Sequence, residues 1–142
     1  MKYFVVFLAI CSLAISYAEA QEILQNMKKI ANDCKAESGG SDADVDALFN
    51  HQPAGSDKAK CLMTCFMKKM GLVDASAKID KDSALNVIKA VANGDANIEK
   101  LGKELIDACK DTPPKGNECE SGEAVRECVI AKAKANGFKL PW

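Results

Sequence analysis

The sequence predicts an all-α fold, a single domain of six helices held together by disulfides. Three observations predict it. Apolar residues recur at helical spacing along nearly the whole chain, with no convincing alternation of the kind that marks a strand. Capping residues and Gly or Pro breaks divide that pattern into six segments. Six cysteines remain once an N-terminal leader is set aside, an even number suited to a disulfide framework in a small secreted chain.

The leader is read first because it decides which residues count as fold. Lys2 supplies a short positive start, Tyr3 to Ile15 is almost wholly apolar, and Ala18-Glu19-Ala20 forms a small-x-small cleavage site before Gln21. This is the layout of a secretory signal peptide over residues 1–20. The alternative is an uncleaved membrane anchor. Against it, the apolar stretch is too short to span a bilayer comfortably, and the sequence has no second one. Residues 21–142 are then one domain, secreted and extracellular, with no stable membrane insertion. Cys11, Tyr3 and Tyr17 leave with the leader, so the remaining aromatics are Phe49, Phe66, Phe138 and Trp142. The interior must be largely aliphatic.

The helices follow in order. Ile23, Leu24, Met27, Ile30, Ala31 and Cys34 form one stripe, which predicts a helix from about Glu22 to Ala36, ended by Gly39-Gly40. Ser41 or Asp42 caps a short second helix through Val45, Leu48 and Phe49, and Pro53 and Gly55 break the chain again. Ser56 is the N-cap of a third helix carrying Ala59, Leu62, Met63, Phe66, Met67 and Met70, closed by Gly71. A fourth runs from about Lys81 to Ala92 and stops at Asn93-Gly94. Asp95 caps the fifth, with Ile98, Leu101, Leu105, Ile106 and Cys109 on its stripe, and Thr112-Pro113-Pro114 ends it. Ser121, with Glu123 and Ala124, opens the sixth, whose inner face holds Val125, Cys128, Val129 and Ala133 before Asn136-Gly137.

Charge narrows the partners. The chain carries 19 basic and 20 acidic residues, a net charge of −1. The leader takes one of each, Lys2 and Glu19, so the domain keeps the same balance. Such a chain has no electrostatic case for nucleic acid or anionic membranes. A single arginine, Arg126, also argues against phosphate recognition.

No catalytic machinery is legible, so the chain is read as not an enzyme. The one histidine, His51, precedes Gln52-Pro53 and reads as a solvated loop residue. No Gly-x-Ser-x-Gly and no glycine-rich phosphate loop occurs, so no cofactor is expected. The acidic clusters Asp42-Ala43-Asp44 and Asp80-Lys81-Asp82 sit at helix starts, where they suit the dipole. C-x3-C could supply two zinc ligands, but one histidine and an oxidising compartment argue against a metal site.

The six cysteines are Cys34, Cys61, Cys65, Cys109, Cys119 and Cys128, separated by 26, 3, 43, 9 and 8 residues. Cys61 and Cys65 share one helix face, and bridging them to each other would tie together nothing distant. Bonding each to a different element makes the third helix a hub. Sequence alone leaves the connectivity open. The pattern C-x26-C-x3-C-x43-C-x9-C-x8-C resembles the six-cysteine signature of the insect odorant-binding proteins, whose x3 and x8 gaps are the most diagnostic. The resemblance covers the whole domain. Saposin-like proteins and plant lipid-transfer proteins fit less well, the former in cysteine spacing and the latter in cysteine number.

The resemblance implies the pairing Cys34–Cys65, Cys61–Cys119 and Cys109–Cys128. It implies an apolar cavity walled by several helices, and a tail that folds over it as a short lid. On that basis Phe66, Met67 and Met70 of the third helix are candidate ligand-binding residues. So are Leu85 and Ile88 of the fourth, Leu105 of the fifth, and Val125 and Val129 of the sixth. Phe138, Leu140 and Trp142 are the candidate lid. A frayed, sticky end that mediates dimerisation is the alternative for that tail. The implied function is a soluble carrier of a small hydrophobic ligand, an odorant, pheromone or similar molecule, released at a membrane receptor or surface. The chain itself is expected to be a monomer or weak homodimer. An extracellular helical interaction protein, or a scavenger outside olfaction, is the alternative.

Overall fold

The computed structural model describes residues 2–138, with side chains from residue 18 onward. Six helices follow one another: α1 (Lys2–Ser38), α2 (Asp42–Phe49), α3 (Asp57–Lys69), α4 (Lys81–Ala92), α5 (Ala96–Cys109) and α6 (Glu118–Ala135). No strand occurs among the described residues, apart from an isolated antiparallel bridge between Val73 and Ile79.

The chain divides into two compact units, residues 1–30 and 31–142. The first is the greater part of α1. This helix runs on through the expected cleavage point instead of starting near Glu22. The physical reason is local: Ala18-Glu19-Ala20-Gln21 contains only good helix formers, and nothing in it stops the helix. Within this unit Ile23 and Leu24 are exposed, at 42% and 40%, while Met27 is buried.

The second unit holds the last turns of α1 and the other five helices. Its helices begin where the sequence offers a cap. Ser41 caps α2 in a reciprocal capping box with Asp44. The Ser56 hydroxyl accepts the Ala59 amide (3.1 Å), Asp80 accepts that of Ser83 (3.2 Å), and Asp95 accepts that of Ile98 (3.3 Å). At the end of α3 the chain reverses through Gly71, whose φ of +75° strongly favours glycine.

One boundary differs from expectation. α6 starts at Glu118, not at Ser121, because Asn117 and Glu120 form a capping box three residues earlier. Ser121 is buried in the first turn, and its hydroxyl donates to the carbonyls of Lys115 (2.7 Å) and Asn117 (3.0 Å). Cys119 therefore lies inside α6.

Three disulfides tie the unit together. Cys34–Cys65 joins α1 to α3, Cys61–Cys119 joins α3 to α6, and Cys109–Cys128 joins α5 to α6. The second holds its two Cα atoms 4.6 Å apart. That closeness is matched by Gly122 on α6, where the backbone passes directly over Thr64 of α3. The Thr64 hydroxyl, fully buried, donates to the Cys119 carbonyl at 3.1 Å. α4 lies against α5 in the same manner, with Ile88 seated over Gly102.

Candidate functional site

Between these helices lies a cavity of about 130 Å³. Each element contributes the face that its apolar period predicts. α3 supplies Phe66 and Met67, and α2 supplies Leu48. α4 supplies Ala84, Val87, Ile88 and Val91, an i, i+3, i+4, i+7 set on one side of the helix. α5 supplies Ile98, Gly102, Leu105 and Ile106, and α6 supplies Val125, Val129 and Ile130. Phe138, just past α6, closes part of the wall.

The segment between α3 and α4 carries no helical period, yet it delivers Leu72, Val73 and Ile79 to the cavity. Asp74 organises it. The Asp74 carboxylate accepts the amides of Ser76 (2.8 Å) and Lys78 (3.0 Å), and the Asp74 amide donates to the Lys78 carbonyl (2.7 Å). These bonds fold the segment into a tight hairpin-like loop that turns its flanking apolar residues inward.

Of the candidates from sequence, Phe66, Met67, Ile88, Leu105, Val125, Val129 and Phe138 lie together around the cavity. Met70 and Leu85 do not. Met70 is the C-cap of α3, where the chain turns away. Leu85 stands on α4 about 100° round from Ala84 and off the inward set. Leu140 and Trp142 fall outside the described residues.

Two polar side chains also reach the wall, His51 and Arg126. Arg126 is 6% exposed and Glu123 4%. Arg126 Nε donates to Glu123 Oε2 at 3.0 Å, and its Nη2 donates to the Gln52 carbonyl. Glu123 Oε1 accepts the Ala54 amide at 3.0 Å. The ion pair thereby fastens the α2–α3 loop to α6. A buried pair of this kind is kept only when such added bonds satisfy its remaining atoms.

His51, expected to be a solvated loop residue, is half-buried at the wall instead. Its backbone holds a φ of +55°, in the left-handed region. Burial, then the charges of Arg126 and Lys134, lower its pKa below the ordinary 6.5, so the ring is neutral at neutral pH. The sequence carried one signal for this group: Glu123 and Arg126 are three apart, next to Val125 on the inner face of α6.

All six cysteines of the second unit are in disulfides, so none is left to bind zinc through C-x3-C. Among the described residues no group of His, Cys, Asp and Glu gathers in a metal-binding arrangement.

An all-helical, disulfide-stapled unit around an apolar cavity is the architecture of a small-ligand carrier. The chain belongs to the PBP/GOBP family, whose pattern matches residues 16–132. It is 33% identical over 132 residues to General odorant-binding protein 19d of Drosophila melanogaster, covering 92% of this chain and 88% of that one. The odorant-binding protein dmelOBP28a from Drosophila melanogaster superposes with a TM-score of 0.74 at 31% identity, over 84% of this chain and 99% of that one. The fatty acid binding protein OBP56a from the oral disk of the blowfly Phormia regina shares the fold, with a TM-score of 0.65 at 21% identity over 80% and 94% of the two chains.

Proposed function

We propose that this protein is a secreted carrier that holds one small hydrophobic ligand in the cavity of its second unit. The observation that carries the reading is the cavity itself: a small domain leaves apolar volume unfilled at its centre, lined almost wholly by aliphatic side chains. Packing normally removes such space, because unfilled volume forfeits contacts. Transfer of an apolar ligand from water, worth ~25 cal/mol per Å², would recover them. The three disulfides offset the missing packing, at about 2–4 kcal/mol each. An extracellular interaction protein would have been expected to fill its core.

The ligand-contacting residues in this proposal are those at the wall, Phe66, Met67, Ile88, Leu105, Val125, Val129 and Phe138 among them. Leu140 and Trp142 continue Phe138 as a lid. Residues 1–20 are removed on secretion, and the disulfides suit the oxidising exterior. The protein carries out no catalysis, and it delivers its ligand to a membrane receptor or surface as a monomer or weak homodimer. The blowfly protein described as fatty acid binding supports an aliphatic cargo.

The test is binding of the neutral fluorescent probe N-phenylnaphthylamine to the mature protein. Saturable binding, reversed by long-chain alcohols or esters, is expected. No binding of the probe or of any lipid extract overturns the reading.

A further inference from the structure

The seams of the cavity wall are not closed alike. Cys61–Cys119 and the Thr64–Cys119 hydrogen bond close α3 on α6, and Cys109–Cys128 closes α5 on α6. Ile88, seated over Gly102, closes α4 on α5. The Asp74 bonds and the Val73–Ile79 bridge hold the segment between α3 and α4. The seam between the α2–α3 loop and α6 is different. No cysteine lies between Cys34 and Cys61, so no disulfide fastens this loop. Of the helices α3 to α6, α2 packs only on α3. Gln52, Pro53 and Gly55 are exposed, and a Cβ on Gly55 would meet nothing within 4 Å. The loop is tied to α6 by two hydrogen bonds, from Arg126 Nη2 to the Gln52 carbonyl and from the Ala54 amide to Glu123 Oε1 at 3.0 Å. Next to them in the loop stands His51, part of the cavity wall.

These two bonds can part at small cost. Glu123 and Arg126 also hold each other, Nε to Oε2 at 3.0 Å on one turn of α6, so the ion pair survives when the loop leaves. Neither buried charge loses its partner, which is what makes breaking such a pair expensive. The freed carbonyl and amide belong to a surface loop and exchange their bonds for water. We infer that the α2–α3 loop is the gate of the cavity: ligand passes between this loop and α6 when the two bonds open together, and Glu123 and Arg126 are positioning residues that set how often they do. This rests on the carrier reading and adds the route of exchange. Local opening of a weakly held loop is the ordinary means by which a packed protein admits a ligand.

The experiment measures association and release rates of N-phenylnaphthylamine by stopped-flow fluorescence, with the mature, disulfide-bonded protein at neutral pH. Ala54→Pro removes the amide that Glu123 accepts and touches no residue of the cavity wall. Both rates should rise together by about three- to tenfold, the worth of one hydrogen bond, while the Kd stays unchanged. A gate lowers the barrier in both directions, whereas a lost wall contact would weaken the Kd through release alone. Lys81→Ala is the control, since it breaks the exposed Lys81–Asp107 pair across the α4–α5 seam and should leave both rates as they are. Unchanged rates in Ala54→Pro, a changed Kd, or an equal acceleration by Lys81→Ala overturns the gate and leaves the carrier reading standing. Failure of the probe to bind the native protein overturns the carrier reading instead. Amide hydrogen exchange of the native protein decides the point even if Ala54→Pro does not fold. The Ala54 amide should exchange through local opening, far faster than those of Met63 and Thr64 within α3. Exchange of Ala54 only by global unfolding would mean that the loop never leaves α6 in the folded protein, and would overturn the gate.

Discussion

A Cβ built on Gly122 would stand 2.2 Å from the Thr64 hydroxyl oxygen, so α6 crosses α3 with backbone against side chain. Gly122→Ala must push the helices apart or break the Thr64–Cys119 hydrogen bond beside the Cys61–Cys119 disulfide. We expect a loss of about 1–3 kcal/mol, the usual cost of overpacking. Gly55→Ala is the control, since nothing lies within 4 Å of a Cβ there. It should change stability by no more than ~0.5 kcal/mol. Thermal denaturation of the two variants measures both.

Gly102 plays the same part between α5 and α4, but at the cavity wall. An added methyl would meet Ile88 at 2.5 Å. Both residues line the cavity, so Gly102→Ala should drive Ile88 into it and reduce its volume. Probe affinity should fall, and bulky competitors should lose more than slender ones. Competition titrations with a linear and a branched ligand check this.

The Glu123–Arg126 pair should respond unequally to single and double substitution. Arg126→Met leaves the Glu123 carboxylate buried without its cation and should cost about 3–5 kcal/mol. Adding Glu123→Gln should recover much of that loss, because the amide oxygen can still accept the Ala54 amide. Urea unfolding of the native protein, the two single variants and the double variant closes the cycle.

His51 gives the stability a direction in pH. Its folded-state pKa lies below the ordinary 6.5, so the unfolded chain binds the proton more readily. Stability is therefore complete above about pH 6.5 and declines as the pH falls from there through the folded value. His51→Asn tolerates the same left-handed backbone and should flatten this decline. Melting temperature recorded between neutral pH and the onset of carboxylate titration is the measurement.

Much of this architecture is legible in the sequence, for reasons particular residues make plain. Ser56, Asp80 and Asp95 stand where a cap belongs, and α3, α4 and α5 begin one residue later. The start of α6 is less legible, because Ser121 competes with Asn117 as a cap and only the Asn117–Glu120 reciprocity decides. The cavity is partly legible. Val87 and Leu85 are equally apolar, and only the packing of α4 on α5 selects the face that turns inward. The loop from Leu72 to Ile79 has no period to read, since its shape comes from Asp74 bonding its own backbone. Arg126 and His51 look like surface residues until the α2–α3 loop is seen to fold against α6.

The carrier function is tested most directly by native mass spectrometry of the protein recovered from its own secretion. The expected species is a chain beginning at Gln21, with three disulfides and one small apolar ligand per protein, exchangeable for an added long-chain alcohol. A bare polypeptide that takes up no apolar ligand on addition would contradict it.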